Sequence, residues 1–218
     1  MSLIISLVAR ARRVGAQVAA EGDYLMQKDA LRVAIILGTA QEGRSGSAVA
    51  NWFISQAQLY DHFVIDVINL AEVELPLAPP RSSASAEADV LADTAARLTA
   101  ADAFVAITPE YNHSFPASLK NLIDWHRTPW QAKPVAFVSY GGRAGGLRAV
   151  EQLRVVFAEL HAVTIRDTVS FHAVWDQLDA DGNLCSSDAV VPAKVLLERL
   201  VWWATALKNA RAQQPYVA

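Results

Sequence analysis

A segment near the start of the chain carries residue types that bind phosphate. Residues 38–45 read G-T-A-Q-E-G-R-S, which differs at one position from the G-x-x-x-x-G-K-[ST] loop of triphosphate-binding proteins. Arg44 stands where that loop has lysine, and its bulkier guanidinium is a poor substitute for an ammonium that reaches between phosphates. Backbone amides at a helix start, the hydroxyls of Thr39, Ser45 and Ser47, and one forked cation instead suit a terminal monophosphate without a metal.

Two other interpretations of this segment stay open on the pattern alone. A triphosphatase would also need a magnesium-binding aspartate at the end of another apolar strand, and Asp66 is a weak candidate because it lies in mid-strand. A glycine-rich turn with no ligand fits the isolated pattern as well as an anion site does. The choice therefore depends on what lies next to the segment in the fold.

Two further segments combine polar, aromatic and glycine residues after apolar runs. In I-T-P-E-Y-N (107–112), Tyr111 offers a flat face and Asn112 offers hydrogen bonds, while Glu110 is either a catalytic acid or base or an ordinary polar loop residue. In S-Y-G-G-R-A-G-G (139–146), four glycines let the backbone approach a planar ring, although a tight strand-to-helix connection would use them equally well.

Apolar runs alternate with helical patterns along the rest of the chain. Predicted strands cover 32–37, 63–70, 103–108, 134–140 and 162–169, and predicted helices cover 45–58, 87–99, 116–125, 147–160 and 190–208. Five repeats of strand and helix predict a parallel sheet with helices on both faces. We expect residues 1–30 to be an extension, with a possible amphipathic helix, ahead of a single domain at 31–218.

The composition excludes several classes of protein. With 218 residues, 53% of them hydrophobic and 19% charged, the chain predicts a globular domain, and its net charge of −3 offers nothing to nucleic acid. A single cysteine, Cys185, excludes an internal disulfide, and the five histidines lack metal-ligand spacing. No apolar run is long enough to span a membrane, so a cytoplasmic protein without a bound metal is expected.

The three segments follow strands that should end at one edge of the sheet, where open α/β sheets bind ligands. A phosphate site, a stacking site and a backbone-lined slot at that edge suit a mononucleotide with a large flat ring. A dinucleotide fits less well because no G-x-G-x-x-G opens the first helix.

At this point the sequence resembles the NADPH-dependent FMN reductase family, over roughly residues 31–210. That family's P-E-Y-N is intact at 109–112, its S-x-P-x-x-L-K-N-x-I-D-W at 114–125, and its S-x-G-G-x-x-G-G at 139–146. The family's opening phosphate loop matches the segment that begins at Gly38, with Thr39 in place of the usual serine.

The resemblance implies a flavodoxin-like three-layer αβα sandwich with a five-stranded parallel sheet in the order 2-1-3-4-5. It also implies noncovalent FMN, NAD(P)H as the hydride donor, a second small-molecule acceptor such as a flavin, quinone, azo compound or metal oxyanion, and a homodimer or homotetramer. No catalytic side chain is expected, since the cofactor carries the chemistry. The expected cofactor-binding residues are Thr39, Arg44, Ser45, Gly46, Ser47, Pro109, Glu110, Tyr111, Asn112, Ser139, Gly141, Gly142 and Gly145. A flavodoxin-like electron carrier or flavin-binding sensor without its own NAD(P)H turnover is the alternative.

Overall fold

The computed structural model describes residues 30–40 and 43–218, and the predicted extension at 1–30 therefore lies almost wholly outside the described residues. Strands and α-helices alternate in the described part. The strands are β1 (Leu31–Leu37), β2 (Phe63–Asn69), β3 (Ala103–Pro109), β4 (Pro134–Tyr140) and β5 (Val163–Phe171). The helices are α1 (Arg44–Ala57), α2 (Ala86–Ala100), α3 (Ala117–Trp125), α4 (Leu147–Glu159) and α5 (Val190–Gln213), with short 3-10 turns at Thr128–Trp130 and Val174–Gln177.

The five strands form one parallel sheet in the order β2-β1-β3-β4-β5, which confirms the predicted topology. Strands β3 and β4 are buried along their whole length, as expected of central strands covered by helices on both faces. The outer strand β2 is only partly buried. The sheet therefore offers ligands its carboxyl edge rather than its faces.

Two apolar layers cover the two faces of the sheet. Val33 and Ile35 of β1 point to the layer beneath α1 and α5, whereas Ala34 and Ile36 point to the layer beneath α2, α3 and α4. This alternation follows from the two-residue period of a strand. The result is the predicted three-layer αβα sandwich.

Two elements run further than the sequence pattern predicts. Strand β5 continues to Phe171, because Tyr140 and Phe171 still pair after a register shift near Phe137. Helix α5 continues to Gln213, where Arg211 in its last turns donates to the carbonyl oxygen of Ala132. The ends of β5 and α5 are thus set by contacts with residues distant in the sequence, which the local apolar periodicity does not reveal. Within the described residues, no helix is both long and apolar enough to cross a membrane.

Candidate functional site

The three polar segments leave the carboxyl ends of adjacent strands. In the sheet, Leu37 at the end of β1 pairs with Ile107 in β3, and Pro109 at the end of β3 pairs with Tyr140 at the end of β4. The loops that follow β1, β3 and β4 therefore start side by side at one edge. This is the arrangement that the sequence predicted, and it lies where open α/β sheets bind their ligands.

A cavity of about 330 Å³ opens at the amino end of α1. Gly43 precedes the helix in an extended conformation. Because glycine has no side chain, it cannot cap the free amide groups of the first turn. Such a helix end favours an anion. The cavity is lined by Leu37, Gly38, Thr39, Gly43, Gly46, Ser47, Asn69, Ala71, Glu72, Ile107 and Tyr140.

Two of the four residues predicted to bind phosphate, Thr39 and Ser47, line this cavity, and so does Gly46, which was predicted to bind the cofactor. Ser45 is half-buried in the same first turn of α1 but is not part of the lining. Arg44 begins α1, and its side chain lies outside what the structure describes. Its contact with phosphate stays a prediction.

Hydroxyl groups from different loops meet around the cavity. Thr39 Oγ1 and Tyr111 Oη lie 2.9 Å apart, and this hydrogen bond joins the loop after β1 to the loop after β3. Burial, with a smaller contribution from Tyr111, raises the pKa of the Tyr140 phenol far above its ordinary value. Tyr140 therefore remains a hydrogen-bond donor throughout the physiological pH range.

The loop after β3 is held in a tight reversal. The backbone N–H of Tyr111 donates to the carbonyl of Ser114 at 2.9 Å, and that of Ser114 donates back to Tyr111 at 3.0 Å. Between them Asn112 and His113 have φ angles of 49° and 72°, as in a type I′ turn, and asparagine tolerates that conformation well. The exposed side chain of Asn112 is presented beside Tyr111 at the ligand edge.

Glu110 connects the loop after β3 to α4. Its carboxylate pairs with the Arg148 guanidinium at 2.7 Å and accepts from the Arg148 backbone N–H at 3.3 Å. The Glu110 side chain is 10% exposed, whereas that of Arg148 is 54% exposed. A carboxylate at a helix amino end is electrostatically favoured there. This geometry favours a structural role for Glu110 over that of an acid or base. Pro109 is buried as the last residue of β3.

The loop after β4 owes its shape to a buried serine. Ser139 Oγ donates to the carbonyl oxygen of Gly145 at 2.7 Å and lies 2.9 Å from the hydroxyl of Ser170. Because the side chain of Ser139 is fully buried in these contacts, it shapes the loop and does not line the cavity. Gly141 and Gly142 are half-buried on the outer part of the same loop.

Gly145 is confined by the connection that follows β5. Its φ of +59° is a left-handed conformation, and a Cβ placed there would lie 2.9 Å from ring atoms of His172. The His172 ring is held in place because Nδ1 lies 2.8 Å from the carbonyl oxygen of Arg143. Gly142 also has an aromatic neighbour, since a Cβ there would lie 3.2 Å from Trp175, a residue that is 59% exposed.

Five residues at this edge were not predicted from the sequence: Asn69, Glu72, Tyr140, His172 and Trp175. Asn69 ends β2 and donates to Glu72 at 2.8 Å, and the predicted strand order alone would have placed both beside the first loop. Tyr140 had the signal of an aromatic residue at a strand end. No local signal marks His172 or Trp175, which reach the glycines from a connection some distance along the chain.

The carboxylate considered for magnesium is engaged elsewhere. Asp66 accepts from Arg97 Nε at 3.0 Å and from its Nη2 at 2.5 Å, across the outer part of the sheet. Asp66 lies mid-strand in β2 and does not line the cavity at α1. Asp66 is therefore not available as the magnesium ligand that the triphosphatase interpretation requires.

Known proteins of similar sequence include quinone oxidoreductases and FMN reductases. The family model described as NADPH-dependent FMN reductase matches residues 31–176. A probable NADPH:quinone oxidoreductase 2 from Oryza sativa subsp. japonica is 28% identical over 204 residues, which cover 87% of this chain and 96% of the relative. A NAD(P)H-dependent FMN reductase from Saccharomyces cerevisiae is 32% identical over 140 residues, or 58% of this chain and 73% of the relative.

Among solved structures, the flavoenzyme NAD(P)H:(acceptor) oxidoreductase FerB from Paracoccus denitrificans has a TM-score of 0.60 at 22% identity. The match covers 82% of this chain and 98% of that one, which supports the flavodoxin-like fold. Since the family model spans more than half of the sequence, from the first strand into the connection after β5, the chain belongs to the NADPH-dependent FMN reductase family.

Proposed function

We propose that this chain is an NAD(P)H-dependent FMN oxidoreductase. The observation that carries the proposal is that three features lie together at the ends of β1, β3 and β4. They are a polar cavity at a helix amino end, a turn that contains an aromatic residue, and a glycine loop. A flavin mononucleotide needs these three environments for its phosphate, ribityl chain and ring. The family membership supports the same cofactor and donor.

The described residues fit FMN in size and chemistry. The phosphate would take hydrogen bonds from Thr39, Ser47 and the first-turn amides of α1, in the cavity of about 330 Å³. The ring would lie against the turn at 109–112 and the glycines at 141–142. Bound there, FMN would supply the redox chemistry, by which hydride from NAD(P)H reduces the cofactor and electrons then pass to a second acceptor. The described residues bind and orient the cofactor, and none is needed as a nucleophile.

A second substrate would enter at the same edge. Trp175 is exposed beside Gly142 and offers an apolar face to a planar acceptor. A quinone is the acceptor that the name of the rice relative supports, while a free flavin is the acceptor that the yeast relative supports. Azo compounds and metal oxyanions belong to the same proposal, because a reduced flavin transfers electrons to each of them.

Assembly and location complete the proposal. We place the protein in the cytoplasm, in accordance with its single cysteine, since disulfides are rare in that reducing compartment.

A homodimer or homotetramer is supported by large apolar side chains at the surface, including Leu77 at 91% and Trp202 at 62% exposure. Size-exclusion chromatography with light scattering measures the oligomeric state directly.

The test of function is an absorption spectrum of the protein after FMN has been added and the excess removed. A retained flavin band that bleaches on anaerobic addition of NADPH, followed by steady oxidation of NADPH with a benzoquinone, is the expected result. A retained band that does not bleach with NADPH or NADH would favour the electron carrier or flavin sensor. A chain that retains no flavin and shows none in a titration would refute the proposal.

A further inference from the structure

The Tyr140 side chain is the least expected member of the cavity lining. Only 7% of the residue is exposed, and its ring packs in the apolar layer beneath α1 with Val49 and Phe53. Tyr140 nevertheless lines the cavity at the amino end of α1, and its hydroxyl lies beside Gly46 of the same lining. Among the described residues, none forms a hydrogen bond with that hydroxyl. Because Tyr140 lines the cavity, its hydroxyl is available to a ligand that enters there.

The contact with Gly46 fixes where this hydroxyl points. A Cβ built on Gly46 would lie 2.7 Å from Tyr140 Oη, closer than real side chains approach, and its next neighbours are 3.5 Å or more away. Gly46 belongs to the first turn of α1. The missing side chain at 46 therefore leaves the space that the phenol hydroxyl occupies, directly beside the amide groups of that turn.

The neighbouring groups define what ligand atom the hydroxyl would meet. First-turn amides, Thr39 and Ser47 are all at the same cavity and are donors suited to an oxyanion. The raised pKa of Tyr140 keeps the phenol protonated, so it acts as a donor at neutral and mildly alkaline pH. The same lining contains one carboxylate, that of Glu72, which accepts a hydrogen bond from the Asn69 side chain at 2.8 Å. The phenol and the donors at the helix end suit a ligand acceptor with several lone pairs.

We propose that Tyr140 donates a hydrogen bond to the phosphate of the bound flavin nucleotide and thereby makes the site select FMN over riboflavin. This inference rests on the proposed function and assigns to the end of β4 a role in phosphate recognition. The glycine loop then contributes to the site at two points: its backbone lies against the ring, and the tyrosine before it contacts the phosphate.

The test compares equilibrium binding of FMN and of riboflavin to the flavin-free protein, followed by quenching of flavin fluorescence. Tyr140→Phe should weaken FMN binding about 10- to 100-fold, the effect of losing one hydrogen bond to a charged group. Riboflavin, which has no phosphate, should bind the variant as it binds the wild type. Tyr60→Phe is the matched control, because it removes a hydroxyl that donates to Lys194 at 3.4 Å, away from the cavity.

A second variant tests the geometry. Gly46→Ala should displace the Tyr140 hydroxyl and weaken FMN binding, and adding Gly46→Ala to Tyr140→Phe should weaken it little further, because the crowded oxygen is already gone. Full additivity of the two changes would contradict the proposed contact.

The outcomes separate this inference from the proposed function. If the wild type binds FMN and Tyr140→Phe binds it equally well, or if FMN and riboflavin weaken together, the phosphate contact is refuted and the flavoenzyme proposal stands. If the wild type binds neither flavin, both proposals fail.

Discussion

The fit between Gly145 and His172 allows a sharp test of how the glycine loop is built. Gly145→Ala must place a side chain on a residue with a φ of +59°, which costs an L-residue about 1–2 kcal/mol. The new Cβ would also lie 2.9 Å from three atoms of the His172 ring. The ring cannot easily swing away while its Nδ1 remains hydrogen-bonded to Arg143, so overlap adds about 1–3 kcal/mol.

The two contributions can be separated by a double-mutant cycle. Gly145→Ala should lower the free energy of unfolding by about 2–5 kcal/mol in the wild type but by only about 1–2 kcal/mol in a His172→Ala background, where the conformational cost alone remains. Urea denaturation of the flavin-free protein, followed by circular dichroism, gives all four free energies. FMN titration of the same proteins shows whether the loop retains its binding geometry.

Gly141→Ala provides the matched control for this cycle. Its Cβ would meet its nearest neighbour, the backbone nitrogen of Gly146, at 3.4 Å, which is an ordinary contact, and its φ is not positive. The change should lower the free energy of unfolding by less than about 1 kcal/mol in either background. An equal cost of Gly145→Ala with and without the His172 ring would refute the steric reasoning, whatever the absolute values.

Three other changes give independent tests. Arg44→Ala should weaken FMN binding by about 1–3 kcal/mol, measured by fluorescence titration, and unchanged affinity would remove Arg44 from the site. Glu110→Gln should lower kcat for NADPH oxidation only slightly, because Glu110 pairs with Arg148. Loss of a general acid or base would lower kcat by roughly 100-fold or more, and a loss of that size would indicate a catalytic role for Glu110. Burial lowers the pKa of Lys133 from its ordinary value of 10.5 to about 8. Between these two pH values the Lys133 amine is protonated in the unfolded chain but neutral in the folded one. The free energy of unfolding should therefore rise with pH across this range, by up to about 3 kcal/mol. Lys133→Met should flatten that rise in urea denaturation, and an unchanged slope would contradict the assignment.

The sequence was sufficient for the parts of the fold that rest on local patterns. Continuous apolar runs predicted buried strands, and the resemblance implied the strand order that the structure confirms. The ends of β5 and α5 could not be predicted in the same way. They depend on pairing between Tyr140 and Phe171 and on the contact of Arg211 with Ala132, and neither contact leaves a periodic trace in the residues concerned.

The candidate site was predictable as a set of loops, although not as a set of side-chain roles. Ser139 belongs to the glycine motif, but the direction of its side chain depends on Ser170 of a neighbouring strand, so its burial could not be read from the motif. Tyr140 looks like the last apolar residue of a strand. Its role depends on the space above Gly46, which only the packing of α1 against the sheet reveals.

The complete burial of β3 and β4 has a consequence for hydrogen exchange. Amide protons in such central strands are expected to exchange with solvent only when the whole domain unfolds, whereas those of the half-exposed β2 exchange through smaller local openings. The turn at 109–112 and the glycines at 141–146 extend directly from these two buried strands. We therefore expect a flavin bound there to dissociate and rebind without unfolding of β3 and β4, whose amide protons would stay protected.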